Sequence, residues 1–142
     1  MEDEKLSKEE ARRKCLWAVQ HGNAANVRAM IEEDGADVNT RIEEQNNMTL
    51  LHVAVHLGKT EVASTLVDLH ADLEARDEEG ATPLHAAVAR GNVELVSELV
   101  RLGADKEALS RRAHTPLHIA AQCGSVEVVV TLVQLGANKE HR

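Results

Sequence analysis

The segment Thr49-Leu-Leu-His-Val-Ala-Val55 returns as Thr82-Pro-Leu-His-Ala-Ala-Val88 and again as Thr115-Pro-Leu-His-Ile-Ala-Ala121, each time 33 residues on. Gly58, Gly91 and Gly124 keep the same phase, as do Val62, Leu95 and Val128, and then His70-Ala-Asp72, Gly103-Ala-Asp105 and Gly136-Ala-Asn138. A period of this length constrains the fold more than any other feature of the chain. Self-similar units stack in series, and each covers the apolar face that its neighbour could not bury alone. A degenerate first copy lies upstream, where Ala18, Gly22 and Val27 match loosely and Gly35-Ala-Asp-Val-Asn39 closes the unit. Its phase is offset by one extra residue near Glu32–Asp34 and two within Arg41–Asn47, so the connector to the second unit is the longest.

Local chemistry predicts the content of each unit. Thr82 suits a helix N-cap, Pro83 the first helical position, and Gly91 a C-terminal cap. A second helix follows, with Val93, Val96, Leu99 and Val100 at helical spacing, and Gly103 ends it. The polar stretch onward to the next Thr holds Asp77-Glu-Glu-Gly80, a tight-turn signal. One unit therefore reads as helix, helix, projecting hairpin. Composition agrees with thin layers: 43% of residues are hydrophobic, yet there is no Phe or Tyr, and Trp17 is the sole large ring. A core without aromatics is filled by Ala, Val and Leu, which let helices approach closely.

These motifs resemble the ankyrin-repeat family. The family signature T-P-L-H-x-A-A is complete at Thr115–Ala121 and nearly so at Thr82–Val88, its G-A-D ending occurs at Gly35–Asp37 and Gly103–Asp105, and the likeness covers residues 14–140. The resemblance implies an all-α ankyrin-repeat solenoid, with helix pairs side by side, β-hairpin loops projecting at right angles, and a concave groove that binds protein. We read one domain: residues 1–6 frayed, then repeats at 7–39, 40–72, 73–105 and 106–142. Ser7-Lys-Glu-Glu10 fits a capping box that opens a long first helix running from Lys8 to about His21. Unit two has Leu50 where the family has Pro, and Asn47 where it has Gly; Asn tolerates left-handed backbone angles. Unit four has Ala113 at that turn position, a poorer substitute, so its hairpin is expected to be less regular.

The groups that invite chemistry are absorbed by the repeat. His52, His85 and His118 belong to the motif, with Thr49, Thr82 and Thr115 as their caps. The resemblance implies that each imidazole ties its helix start to the preceding hairpin. Successive layers lie roughly 10 Å apart, so these histidines cannot share a metal whose ligands sit at about 2 Å. His21, His56, His70, His114 and His141 have no ligand spacing either. Cys15 and Cys123 fall in the first and last units, too distant for a bridge, and nothing around Cys123 marks it as activated. Asn47-Met48-Thr49 matches a glycosylation acceptor, but Thr49 is a helix cap and the start of the chain does not read as a secretory signal. No nucleophile triad, phosphate loop or dinucleotide fingerprint occurs, so the expectation is a protein that is not an enzyme, without cofactor or metal.

A net charge of −8 argues against binding nucleic acid or anionic membranes, and no apolar run reaches the length of a membrane span. Two cysteines without a disulfide framework point to the cytoplasm or nucleus. The expected partner is another protein. By the resemblance its contacts are loop tips and the exposed ends of first helices: Gln45, Asn46, Met48, His56 and Leu57 in unit two; Glu78, Glu79, Ala81, Ala89 and Arg90 in unit three; Arg111, Arg112, His114, Gln122 and Cys123 in unit four. Unit one offers only Gln20 and His21. The tips change from neutral to acidic to basic along the chain, which favours a partner with charges in the opposite order. Unit four is more apolar than its siblings, with Val130 in place of Ser64 and Ser97, and Ile119 in place of Ala86. A monomer is expected, with self-association through that face as an alternative. Another alternative makes the chain an ankyrin segment cut from a larger protein, whether an enzyme, a channel or a longer array, where it serves a structural role.

Overall fold

A computed structural model describes residues 8–33, 35–42 and 45–136. The expected frayed start, the Ser7 capping box, Asn138 and His141 lie outside these residues. Among the described residues the secondary structure is eight helices and one short strand pair, divided between two compact units, Met1–Asp72 and Leu73–Arg142.

The first unit contains α1 (Lys8–Gln20), α2 (Ala24–Glu32), β1 (Arg41–Ile42), β2 (Met48–Thr49), α3 (Leu50–His56) and α4 (Thr60–Asp68). α1 packs on α2 and α3, and α4 covers α2 and α3. Cys15, Ala18, Val19, Val27, Leu50, Leu51, Val62, Ala63 and Leu66 are buried. Asn23 caps α2 by accepting from the Asn26 N–H at 3.1 Å. Asn39 joins the two layers of this unit: its Oδ1 accepts from the Asp72 N–H at 2.8 Å. The strands pair antiparallel, Arg41 with Thr49 and Ile42 with Met48, and the Ile42 side chain is buried.

The second unit contains α5 (Pro83–Arg90), α6 (Val93–Arg101), α7 (Pro116–Cys123) and α8 (Val126–Gln134). α5 packs on α6 and α7, while α8 covers α6 and α7. Leu84, Ala87, Val88, Leu95, Val96, Leu99, Ala120, Val128 and Leu132 are buried. Each Leu so enclosed contributes about 1.5–3 kcal/mol through removal of apolar surface from water. The alanines leave room for the next helix to approach. The stripe expected on α6 needs one correction: Leu95 is fully buried with Val96 and Leu99, whereas Val93 and Val100 are only half-buried. Asn92 caps α6 through the Leu95 N–H at 3.1 Å, and Gly91 and Gly124 close α5 and α7 with positive φ of 70° each. Glu74 and Lys106 bridge the layers of this unit. A Glu74 carboxylate oxygen accepts from the Asp105 N–H, and the Lys106 ammonium donates to the Leu135 carbonyl, both at 2.9 Å.

The loops hold less strand than expected. Residues 77–81 close with one bond across the neck, from the Asp77 N–H to the Ala81 carbonyl at 3.1 Å, and 110–114 with its counterpart, from the Ser110 N–H to the His114 carbonyl at 2.9 Å. The fourth hairpin is as regular as the third, contrary to expectation. Ala113 adopts φ 63° where Gly80 adopts 74° and Asn47 adopts 57°. The physical reason is space. A Cβ built on Gly80 would lie 2.7 Å from the Arg111 backbone nitrogen, but Ala113 is exposed, so it bears only the conformational cost of a left-handed Ala.

Candidate functional site

Each repeated Thr and His form a closed pair at a helix start. The Thr82 Oγ1 accepts from the His85 N–H at 3.3 Å, and His85 Nδ1 accepts from the Thr82 N–H at 3.1 Å, with the hydroxyl 2.8 Å away. Thr49 and His52 make the same contacts at 3.3, 3.2 and 3.0 Å, and Thr115 and His118 at 3.2, 3.1 and 3.0 Å. An Nδ1 that accepts leaves the proton on Nε2. That nitrogen of His85 donates to the His114 carbonyl at 3.0 Å. The tie to a neighbouring loop therefore runs forward, to the hairpin after the helix, and not to the preceding one that the resemblance implied. Burial holds the His85 pKa below its ordinary 6.5, and the Arg76 charge adds to this. The bonds to the His114 and Ala108 carbonyls and the Asp77 carboxylate oppose the shift. Such an imidazole stays neutral and is consumed by structure. Among the described residues no three His, Cys, Asp or Glu side chains gather closely enough to hold a metal. Cys15 is buried and Cys123 exposed, both as free thiols.

In the second unit the two loops lie against each other. Asp77 Oδ1 accepts from the Glu79 and Ala81 N–H groups at 2.9 and 3.0 Å, folding the backbone into a turn. Ser110 takes the same position in the next loop, its Oγ accepting from the His114 N–H at 3.3 Å. Arg76 joins the pair by donating to the Gly80 carbonyl at 2.9 Å and to the Leu109 carbonyl. This places the tip bearing Glu78 and Glu79 beside the tip bearing Arg111 and Arg112. All four side chains are exposed, and none has an ion-pair partner among the described residues.

The remaining candidates divide by exposure. Ala89 and Arg90 at the end of α5, and Gln122 and Cys123 at the end of α7, face solvent. Ala81 and His114 are half-buried, with backbones committed to the loop bonds above. In the first unit Asn46 is exposed, Gln45, Met48 and His56 are half-buried, and Leu57 is 47% exposed. Arg41 steadies this loop by donating to the Asn47 carbonyl at 2.9 Å. The sequence reading missed exposed apolar groups, Trp17 among them. Trp17 on α1 is 52% exposed and stacks on His21, centroids 4.0 Å apart, while His21 Nδ1 donates to the Trp17 carbonyl at 2.8 Å. Its signal was in the register, since Trp17 takes the variable position of the motif, where Val53, Ala86 and Ile119 follow.

A family model described as "Ankyrin repeats (3 copies)" matches residues 8–77 and 69–142. The chain belongs to the ankyrin-repeat family. The eight helices among the described residues, with little strand, fit the all-α ankyrin solenoid class. Ankyrin repeats are non-catalytic modules that generally bind other proteins. Two relatives in Oryza sativa subsp. japonica, "BTB/POZ domain and ankyrin repeat-containing protein" NH5.2 and NH5.1, are each 41% identical over 64 residues. The match covers 45% of this chain and 13% of each relative's length.

Proposed function

We propose that this ankyrin-repeat chain is a non-catalytic scaffold or regulatory binder that holds another protein through its loop tips and the exposed ends of its first helices. The observation that carries this reading is the paired acidic and basic tips of the second unit, held in contact through Arg76 and Gly80 yet without ion-pair partners among the described residues. Unpaired charges of opposite sign on adjacent rigid turns select a partner segment that presents a cation to Glu78 and Glu79 and an anion to Arg111 and Arg112. Such complementarity sets register and association rate more than raw affinity. We place the protein in the cytoplasm or nucleus, in keeping with the free exposed thiol of Cys123.

The test is quantitative capture from extracts of the source cell with the wild type and with Arg111→Glu/Arg112→Glu. A true partner is retained by the wild type and depleted about tenfold or more by the double reversal, a loss of about 1.4 kcal/mol. Thermal stability stays nearly unchanged, because both side chains are exposed. Equal capture by the two proteins refutes the assignment. A second reading draws on the small share of each rice relative that the match covers: the array is one part of a longer protein that carries other domains.

A further inference from the structure

Asp77 and Ser110 stand 33 residues apart at the start of equivalent turns, and they serve those turns unequally. Asp77 Oδ1 accepts from the N–H groups of Glu79 and Ala81. Asp37 and Asp105 likewise accept from the N–H two positions on, in Asn39 and Glu107. Ser110 Oγ reaches only the His114 N–H, at 3.3 Å. The Arg112 N–H, which corresponds to that of Glu79, has no acceptor among the described residues, and neither has the Ser110 hydroxyl proton. The charges around the two anchors are inverted as well. An anionic Asp77 precedes Glu78 and Glu79, whereas a neutral Ser110 precedes Arg111 and Arg112, both exposed and without an ion-pair partner among the described residues. A third guanidinium, that of Arg76, donates to the carbonyl of Leu109, next to Ser110.

We infer that Ser110 is a phosphorylation site for a protein serine kinase, and that its phosphate supplies the anionic turn anchor that Asp77 supplies in the preceding loop, held there by Arg111 and Arg112. Ser110 Oγ attacks the terminal phosphorus of a nucleoside triphosphate. The Oγ–P bond forms as the bond to the departing nucleoside diphosphate breaks, and the hydroxyl proton passes to the kinase's base. Phosphoserine carries a charge of about −1.5 to −2 and three strong acceptor oxygens, enough to serve the Arg112 and His114 N–H groups and a guanidinium together. Glu78 and Glu79 on the adjacent tip repel this charge, but the two arginines are its immediate neighbours in the chain. Access is local. Ser110 is half-buried, yet Leu109, Arg111, Arg112 and Ala113 around it are exposed, and the turn closes only through bonds among Ser110, Ala113 and His114. Other hydroxyls lack this setting. Thr49, Thr82 and Thr115 are buried caps, Ser64 and Ser97 lie within α4 and α6, and Arg41 beside Thr40 is spent on the Asn47 carbonyl. A consequence rests on the binding role proposed above: the phosphate cancels the charge of Arg111 and Arg112 and withdraws the cationic half of the partner site.

The experiment incubates the full chain with extract of the source cell and radiolabelled ATP, and maps the label by mass spectrometry. Label is expected on Ser110 and is lost in Ser110→Ala, whose fold is checked by circular dichroism. No label on Ser110, or equal labelling of Ser110→Ala, overturns the inference. In the chain purified with phosphoserine at 110, hydrogen exchange of the Arg112 amide is expected to slow by about tenfold. Ser110→Asp, which places a carboxylate at the same turn position, should slow it as well. Unchanged Arg112 exchange in the phosphorylated chain refutes the anchoring role. Partner capture keeps the two readings apart. A partner indifferent to Arg111→Glu/Arg112→Glu refutes the binding role alone, since labelling and exchange are read without it. A partner that the double reversal releases but the phosphorylated chain retains refutes the regulation.

Discussion

Gly80→Ala is expected to destabilise the protein far more than the turn type alone would suggest. Two costs act together. At φ 74° an Ala side chain meets the left-handed penalty, about 1–2 kcal/mol, because Cβ crowds the following carbonyl. The new methyl would also lie 2.7 Å from the Arg111 nitrogen, 3.0 Å from its Cβ and 3.2 Å from its Cα. These are mostly backbone atoms of a loop that Arg76 holds in place, so relief requires moving the loop, an overpacking cost of about 1–3 kcal/mol. Loss of glycine's freedom in the unfolded chain returns about 0.4–1 kcal/mol. The expected net effect is a loss of about 2–4 kcal/mol. Ala113→Gly at the corresponding turn supplies the opposite sign. It removes the left-handed penalty with no neighbour to displace, and after the unfolded-state term it stabilises by about 0.5–1 kcal/mol. Urea unfolding followed by far-UV circular dichroism measures both, with an unchanged m-value as the check that each variant alters stability alone. If Gly80→Ala costs less than about 0.5 kcal/mol, the loop contact does not exist as described. If Ala113→Gly destabilises, steric crowding is not what distinguishes the two turns.

Leu84→Ala leaves a cavity beneath α5 and should cost about 2–5 kcal/mol, whereas Leu117→Ala, at the half-exposed counterpart, should cost less than half as much; equal losses in urea titrations would mean that the two positions are equally enclosed. Acidification should weaken the fold in the window just below pH 6.5: the folded His85 pKa is lowered, so its contribution is complete above 6.5 and is lost as pH falls through the folded value, while the unfolded chain takes up a proton that the folded chain refuses. This one group supplies a slope of at most about 1.4 kcal/mol per pH unit. NMR titration should find the His85 ring more than half neutral at pH 6.5, and a ring that charges at higher pH would contradict the acceptor role of Nδ1.

Most of the layer architecture was legible in the chain because it rests on short-range chemistry. Thr82 next to Pro83, with His85 three residues beyond the cap, specifies a capped helix start wherever it occurs, and a period of 33 repeats that instruction. Asn47 in a left-handed turn followed from the same local rule. The binding candidates were legible only as positions in a register. Whether Ala81 faces solvent depends on what the next loop covers, and it is half-buried.

The amino-acid order thus determined the helix pairs, their caps and the apolar stripes, since propensity, capping and periodicity act within a few residues. Tertiary structure decided everything that required two segments to meet. It sent the His85 tie forward to His114 and demanded glycine at 80 while permitting alanine at 113. It also brought the acidic and basic tips together. Packing carries that information because a buried contact depends on the surface opposite it, and no local run of residues contains both sides.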